Sequence, residues 1–128
     1  MNNYYKPEIE DIRVGYECQL KVTSRSFANI TIGKEYYFSS KEDLEKELFM
    51  ERIRTSYLTK EQIEAEGWTF DKSYLGDMYY IIKGHEIRHS LSDKIMAITR
   101  TTSNTQFFYG YCKSINEFRY ITRKLLLI

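Results

Sequence analysis

The segment from residue 68 to residue 111 constrains the fold of this chain more than any other feature. It contains short stretches rich in β-branched and aromatic residues, bounded by turn-forming residues such as Leu75-Gly76-Asp77 and Lys83-Gly84. These predicted strands cover residues 68–71, 78–83, 86–91, 95–100 and 105–111. Strands that follow one another through short turns are typical of an antiparallel β-meander.

Two predicted helices flank the meander. The first begins after Thr59, a good N-cap residue, and Gln62 stands three residues later as the capping-box partner. The second begins at Ser114, which forms an SxxE capping box with Glu117. Its apolar positions are Ile115, Phe118, Ile121 and Leu125. Because these four positions recur on one helical face, we expect that face to pack on the meander sheet.

The N-terminal part is also rich in predicted strands. From Ile12 to Val22, six apolar residues alternate with polar ones, which predicts one strand with a buried face. Residues 27–38 predict one or two further strands, broken at Gly33-Lys34. Residues 40–52 predict a helix capped by Ser40. The narrow apolar stripe of this helix consists of Leu44, Leu48 and Phe49.

Together these elements predict an α+β fold: an antiparallel β-meander sheet packed by two or three helices, with an N-terminal strand region. The length of 128 residues suits a single domain, residues 1–128. Within it we expect a strand-rich part with one helix, residues 1–56, and a part with a helix, the meander and the terminal helix, residues 57–128.

Composition narrows the class of protein. The formal charge is +1, which as a whole-chain balance does not favour a polyanionic partner. The first residues lack a basic run followed by an apolar stretch, so we expect no signal peptide. No apolar run approaches the ~20 residues of a membrane span, and we expect a cytoplasmic protein without a membrane partner. Cys18 and Cys112 lie outside any CxxC motif, and we expect two reduced, partly buried thiols. A single disulfide in an exported protein is the alternative.

Aromatic residues make up 16% of the chain, with 12 Tyr, 7 Phe and 1 Trp. Tyrosine suits half-buried strands and contact surfaces alike, because it joins an apolar ring to a polar tip. The aromatic residues that we expect in the core include Trp68, Tyr80, Phe107 and Tyr109. The aromatic candidates for a binding surface are Tyr36, Tyr37, Phe108 and Tyr111, together with Tyr4 and Tyr5. Of Phe108 and Tyr111, the binding candidate is whichever faces outward.

Charge is unevenly distributed along the chain. Residues 83–128 hold 8 basic and 3 acidic residues, a net charge of +5, whereas residues 1–82 hold 11 basic and 15 acidic residues, a net charge of −4. The basic half, with aromatic residues on one strand, would suit a nucleic-acid surface that includes Arg119 and Arg123. We favour the interpretation that these cations only solvate the outer face of the terminal helix, because the sequence has no cluster of five or more basic residues.

One motif resembles a catalytic centre. His85-Glu86-Ile87-Arg88-His89 is an HExxH sequence, which on a helix would hold zinc through both histidines, with Glu86 as general base and Glu117 as a third ligand. The alternation of His85, Ile87 and His89 with charged residues instead indicates a strand. On a strand, residues four apart are separated by roughly 13 Å, too far to share a metal ion. We therefore expect no cofactor or metal, and keep a zinc hydrolase as an alternative.

Two stretches carry a resemblance. LTKEQIEAEGW at residues 58–68 and GYCKSINEFRYITRKLLLI at residues 110–128 resemble a group of small, uncharacterised phage and prophage proteins of gut Bacteroidetes-type bacteria. Phe118 stands where that pattern usually carries leucine, and the first 50 residues diverge more. The resemblance implies an accessory protein of a mobile element, located in the bacterial cytoplasm, and it implies no functional residue.

These observations favour a non-enzymatic protein that acts by binding a host or phage protein, in counter-defence or host modulation. Exposed tyrosine and phenylalanine would make the contact, because aromatic residues are enriched in binding hot spots. The alternatives are a nucleic-acid-binding protein using residues 83–128, the zinc hydrolase, and a protein that sequesters a small ligand.

Overall fold

The computed structural model describes residues 3–125 and divides between Tyr57 and Leu58 into two compact units. This division falls one residue from the predicted boundary between the two parts of the chain. That both parts belong to a single domain stays a prediction. The fold class is confirmed: the chain is α+β, with two antiparallel sheets and helices packed on them.

The first unit contains a four-stranded sheet and one helix. Its elements are β1 (Tyr4–Tyr5), a 3-10 turn (Ile9–Asp11), β2 (Glu17–Thr23), β3 (Ser26–Thr31), α1 (Lys41–Phe49) and β4 (Ile53–Ser56). The strand order is β1-β4-β2-β3. The buried residues of its core are Tyr16, Cys18, Ile30, Ile32, Leu44, Leu48 and Ile53. The predicted cap is present, since the Ser40 hydroxyl accepts a hydrogen bond from the Asp43 amide at 3.1 Å.

The prediction of one strand from Ile12 to Val22 is wrong in its first half. β2 begins only at Glu17, because Gly15 adopts a φ of +94° and the Tyr16 amide turns back to the carbonyl of Arg13. Val14 is therefore exposed rather than part of a buried face. Phe49, expected on the buried stripe of α1, is also exposed, because it lies at the last residue of the helix.

The second unit is the predicted meander with two helices on one face. Its elements are α2 (Lys60–Ala65), β5 (Thr69–Tyr74), β6 (Asp77–Ile82), β7 (His85–Ser90), β8 (Ile95–Arg100), β9 (Thr105–Tyr111) and α3 (Ile115–Leu125). The five strands pair in sequence order. Buried residues of both helices share one core cluster with the inward side chains of the sheet. The apolar face of α3 packs there through Ile115, Phe118 and Ile121, whereas the side chain of Leu125 lies outside the described residues.

The predicted capping box of α2 forms. The Thr59 hydroxyl accepts from the Gln62 amide at 3.2 Å, and the Gln62 side chain accepts from the Thr59 amide at 3.0 Å. At α3 the Glu117 half of the predicted box is present, since the Glu117 carboxylate accepts from the Ser114 amide at 2.8 Å and from the Ser114 hydroxyl. The Ser114 hydroxyl accepts from the Asn116 amide at 3.2 Å. Both thiols are free and buried, as expected for Cys18 and Cys112. Among residues 3–125, no helix combines the length and apolarity needed to cross a membrane.

Candidate protein-binding surface

The two faces of the five-stranded sheet have different roles. In one row across four strands, Tyr80 pairs with Ile87, Ile87 with Ile98, and Ile98 with Phe108. Residues of this row belong to the core or pack against it under α2 and α3. Because successive side chains of a strand point to opposite faces, the neighbouring rows lie on the side that these helices do not cover. We call that side the open face.

The central row of the open face combines two tyrosines with an arginine. Tyr79 pairs with Arg88, Arg88 with Ala97, and Ala97 with Tyr109. Side chains of paired residues lie ~5 Å apart, so these four form one continuous line across the sheet. Ala97 has only 6% of its surface exposed, whereas Tyr109 is 59% exposed. The short alanine between larger neighbours therefore makes a shallow depression in the row.

Apolar and aromatic residues extend this row on both sides. Ile95 pairs with Tyr111, which is 67% exposed, at one end of the outer strands. Ile81 follows Tyr79 on the same face of β6 and is also exposed. The open face is therefore defined by Tyr79, Ile81, Arg88, Ile95, Ala97, Tyr109 and Tyr111. Large apolar and aromatic side chains exposed together on one surface are a mark of an interaction site.

The charges around the open face are balanced. Lys72 pairs with Tyr79, and its ammonium lies 5.2 Å from the centre of the Tyr79 ring. Arg88 lies 3.9 Å from the carboxylate of Asp77. Glu86 pairs with Ile81 on the same face. Two basic and two acidic side chains thus surround the aromatic row, so that it has no strong field of either sign.

The structure does not bring the predicted binding residues together. Tyr36 and Tyr37 belong to the first unit, where Tyr36 packs on Phe38 with ring centres 4.7 Å apart. Tyr37 is exposed, and its hydroxyl donates to the carbonyl of Gly33 at 2.6 Å. Tyr36 packs against the core of that unit, so Tyr37 alone presents most of its ring to solvent.

The remaining predicted binding residues lie on both sides of the five-stranded sheet. Phe108 packs against the core, and Tyr111 is the residue that faces outward. Arg119 lies on α3 and forms an ion pair with Glu66 at 3.2 Å, while Arg123 is exposed on the same helix. Since α3 covers the inner face of the sheet, Tyr111 and the two arginines cannot contact one ligand across the sheet.

The HExxH residues lie on β7, which confirms the predicted strand. His85 and His89 point inward, whereas Glu86 points to the open face. Glu117 is engaged by the amide and the hydroxyl of Ser114 as the helix cap. The structure therefore does not bring the two histidines and the predicted base to one point. No group of three or more His, Cys, Asp and Glu side chains within residues 3–125 is arranged to hold a metal ion.

His89 is a core residue. It is 2% exposed, and burial lowers its pKa, against the opposing effect of a hydrogen bond with the backbone of Cys112. In the part of the chain that the structure describes, its Nε2 atom has no hydrogen-bond partner. A buried imidazole in this setting is held in the neutral form.

Most of the open face is not evident from the sequence. The prediction that Tyr109 lies in the core is wrong, because the inward positions of β9 are Phe108 and Gly110. The side chain of Phe107 lies outside the described residues. Cys112 is the signal that could have assigned the two faces of β9. It is fully buried and lies an even number of residues after Phe108, which indicates that Phe108 points inward and Tyr109 outward.

Comparisons of the chain with protein-family models, with curated proteins and with solved structures find no match.

Proposed function

We propose that this chain is a non-enzymatic protein-binding module whose contact surface is the open face. The observation that carries the proposal is the row of Tyr79, Arg88, Ala97 and Tyr109, set on the side of the sheet opposite its helices. Tyrosine and arginine are the residue types most enriched, with tryptophan, among residues that dominate binding energy. A rigid five-stranded sheet holds them in place, so little conformational entropy is lost on binding.

The charge around the row favours a protein partner over a nucleic acid. Binding to a phosphate backbone depends on cations that displace counterions, and the open face offers as many acidic as basic side chains. The cations of α3, such as Arg123 and Lys124, lie on the helix that covers the other side of the sheet. A partner with an apolar and aromatic surface of mixed charge fits the open face best.

The biological setting of this proposal comes from the resemblance of residues 58–68 and 110–128 to phage and prophage proteins. The partner would then be a host or phage protein, and the role counter-defence or host modulation. The nucleic-acid and zinc-hydrolase alternatives give different results in the experiments below.

The test is affinity capture with the tagged full chain from a lysate of gut Bacteroidetes-type bacteria. Two variants are compared, Tyr109→Ala on the open face and Tyr120→Ala on α3. They are matched controls because Tyr109 is 59% exposed and Tyr120 is 56% exposed. We expect one stoichiometric protein with the unchanged chain and with Tyr120→Ala. Recovery with Tyr109→Ala should fall about tenfold, the effect of losing one hot spot.

Three results would contradict the proposal. Equal recovery with both variants would exclude the open face as the contact. Captured nucleic acid, with affinity that falls steeply between about 50 and 200 mM salt, would favour the alternative based on residues 83–128. About one zinc ion per purified chain, with hydrolysis that is lost in Glu86→Gln, would make the protein an enzyme.

A further inference from the structure

A second arrangement lies on the outer face of the four-stranded sheet, in the first unit. Arg54 extends from β4 across β2, and its guanidinium carbon lies 3.7 Å from the ring centre of Tyr4 and 3.7 Å from that of Phe27. Two rings cannot both stack this closely on the same side of a planar group. They therefore cover its two faces, and the arginine is held between them by cation–π contacts.

One edge of the guanidinium is also fixed. Its Nε atom donates to Oε1 of Gln19 at 2.7 Å, and the Gln19 amide nitrogen donates to Oδ1 of Asn29 at 2.8 Å. Arg54 pairs with Gln19, and Gln19 with Asn29, so this chain of hydrogen bonds crosses three adjacent strands. Both the plane and the rotation of the guanidinium are thus set by the sheet.

The opposite edge carries the terminal nitrogens Nη1 and Nη2, with four N–H donors. Within residues 3–125, no carboxylate pairs with Arg54, although the side chain is half-buried. Lys21 is exposed two residues beyond Gln19 on the same face of β2, and no acid of the described chain pairs with it. Burying part of a charge without a counter-ion is unfavourable, so this edge is suited to an anion.

We propose that Arg54 forms an oxyanion-binding site, in which Nη1 and Nη2 bind two oxygens of a phosphate or carboxylate group of a ligand. A guanidinium matches either group with two parallel hydrogen bonds, and its fixed orientation lowers the entropic cost of making them. Stacking of a planar ligand on the guanidinium is excluded, because the rings of Tyr4 and Phe27 already cover both faces. The site belongs to the first unit and is independent of the open face.

The test is an NMR titration of the full chain with sodium phosphate and, separately, with sodium acetate, each against sodium chloride at equal ionic strength. The signal observed is the side-chain Nε–H of Arg54, with that of Arg25, an exposed arginine in the β2–β3 turn, as internal control. We expect a saturable shift at Arg54 and none at Arg25. A shift with phosphate alone indicates a phosphate-bearing ligand, and a comparable shift with acetate indicates a carboxylate.

Matched variants separate a binding site from a structural contact. Arg54→Lys keeps the charge but loses the planar fork, and should weaken binding about tenfold, whereas Arg25→Lys should leave it unchanged. Because Arg54→Lys lacks the Arg54 Nε–H, binding to all variants is compared through the side-chain amide signals of Gln19, which contacts Arg54. The proposal is overturned if neither anion shifts the Arg54 signal beyond the chloride control. It is also overturned if Arg54→Lys binds as well as the unchanged chain. The titration of the unchanged chain decides the matter even where a variant does not fold.

Discussion

Replacing Tyr80 by alanine should destabilise the second unit several times more than the same replacement at Tyr111. The two tyrosines are 1% and 67% exposed, because they lie on opposite faces of one sheet. A tyrosine side chain removes ~200 Å² from water when fully buried, which at about 25 cal/mol per Å² corresponds to about 5 kcal/mol. Only about a third of the surface of Tyr111 is covered by the protein. Tyr111→Ala should therefore lower the free energy of unfolding by at most about 1.5 kcal/mol.

The assay is urea unfolding followed by the fluorescence of Trp68, the only tryptophan of the chain, which is buried in the core of the same unit. Both variants should keep the urea dependence of the unchanged chain and differ in midpoint, with Tyr80→Ala far lower. Equal losses in the two variants, or a larger loss for Tyr111→Ala, would refute the assignment of inner and open faces.

Three further predictions concern stability and reactivity. Burial lowers the pKa of His89 below the unfolded value of about 6.5, so its stabilising contribution is complete above that pH and is lost as the pH falls through the folded pKa. His89→Leu should flatten the fall of the urea midpoint on acidification, and an unchanged slope would contradict this. Thr59→Ala should lower the free energy of unfolding by about 1 kcal/mol, because it removes the cap of α2. The same urea assay measures this change, and an unchanged free energy of unfolding would contradict the prediction. Because burial raises the pKa of Cys112 and raises that of Cys18 to about 11, neither thiol should react with a thiol reagent at pH 8 until urea unfolds the chain; rapid reaction of the native protein would contradict the described packing.

The helices and strands of the second unit can be predicted well, because the residues that end each of them are close to it in the sequence. Turn residues separate the strands, so the predicted ranges 95–100 and 105–111 match β8 and β9 in full. The capping residues Thr59 and Ser114 act through hydrogen bonds to the next few residues, which can be read from the sequence. By contrast, the strand predicted from Ile12 to Val22 is too long at its start. The alternation of apolar and polar residues does not show that Gly15 takes a left-handed conformation.

The open face was not predictable from single strands. β9 carries three consecutive aromatic residues, 107–109, and the inward position at residue 110 is a glycine, so its alternation has no clear polar and apolar side. Which face Tyr109 occupies is decided by pairing with Ala97 and by the register shift between Ile98 and Thr99. The Arg54 arrangement likewise depends on side chains from four strands that are distant in sequence.

Site-specific photocrosslinking tests the central claim, that the open face contacts a protein, most directly. A photoreactive phenylalanine analogue replaces either Tyr109 on the open face or Tyr120 on α3, two positions of nearly equal exposure. After irradiation in the bacterial lysate, we expect a discrete protein adduct from position 109 and none from position 120. An adduct from position 120 alone, or no adduct from either position, would contradict the account.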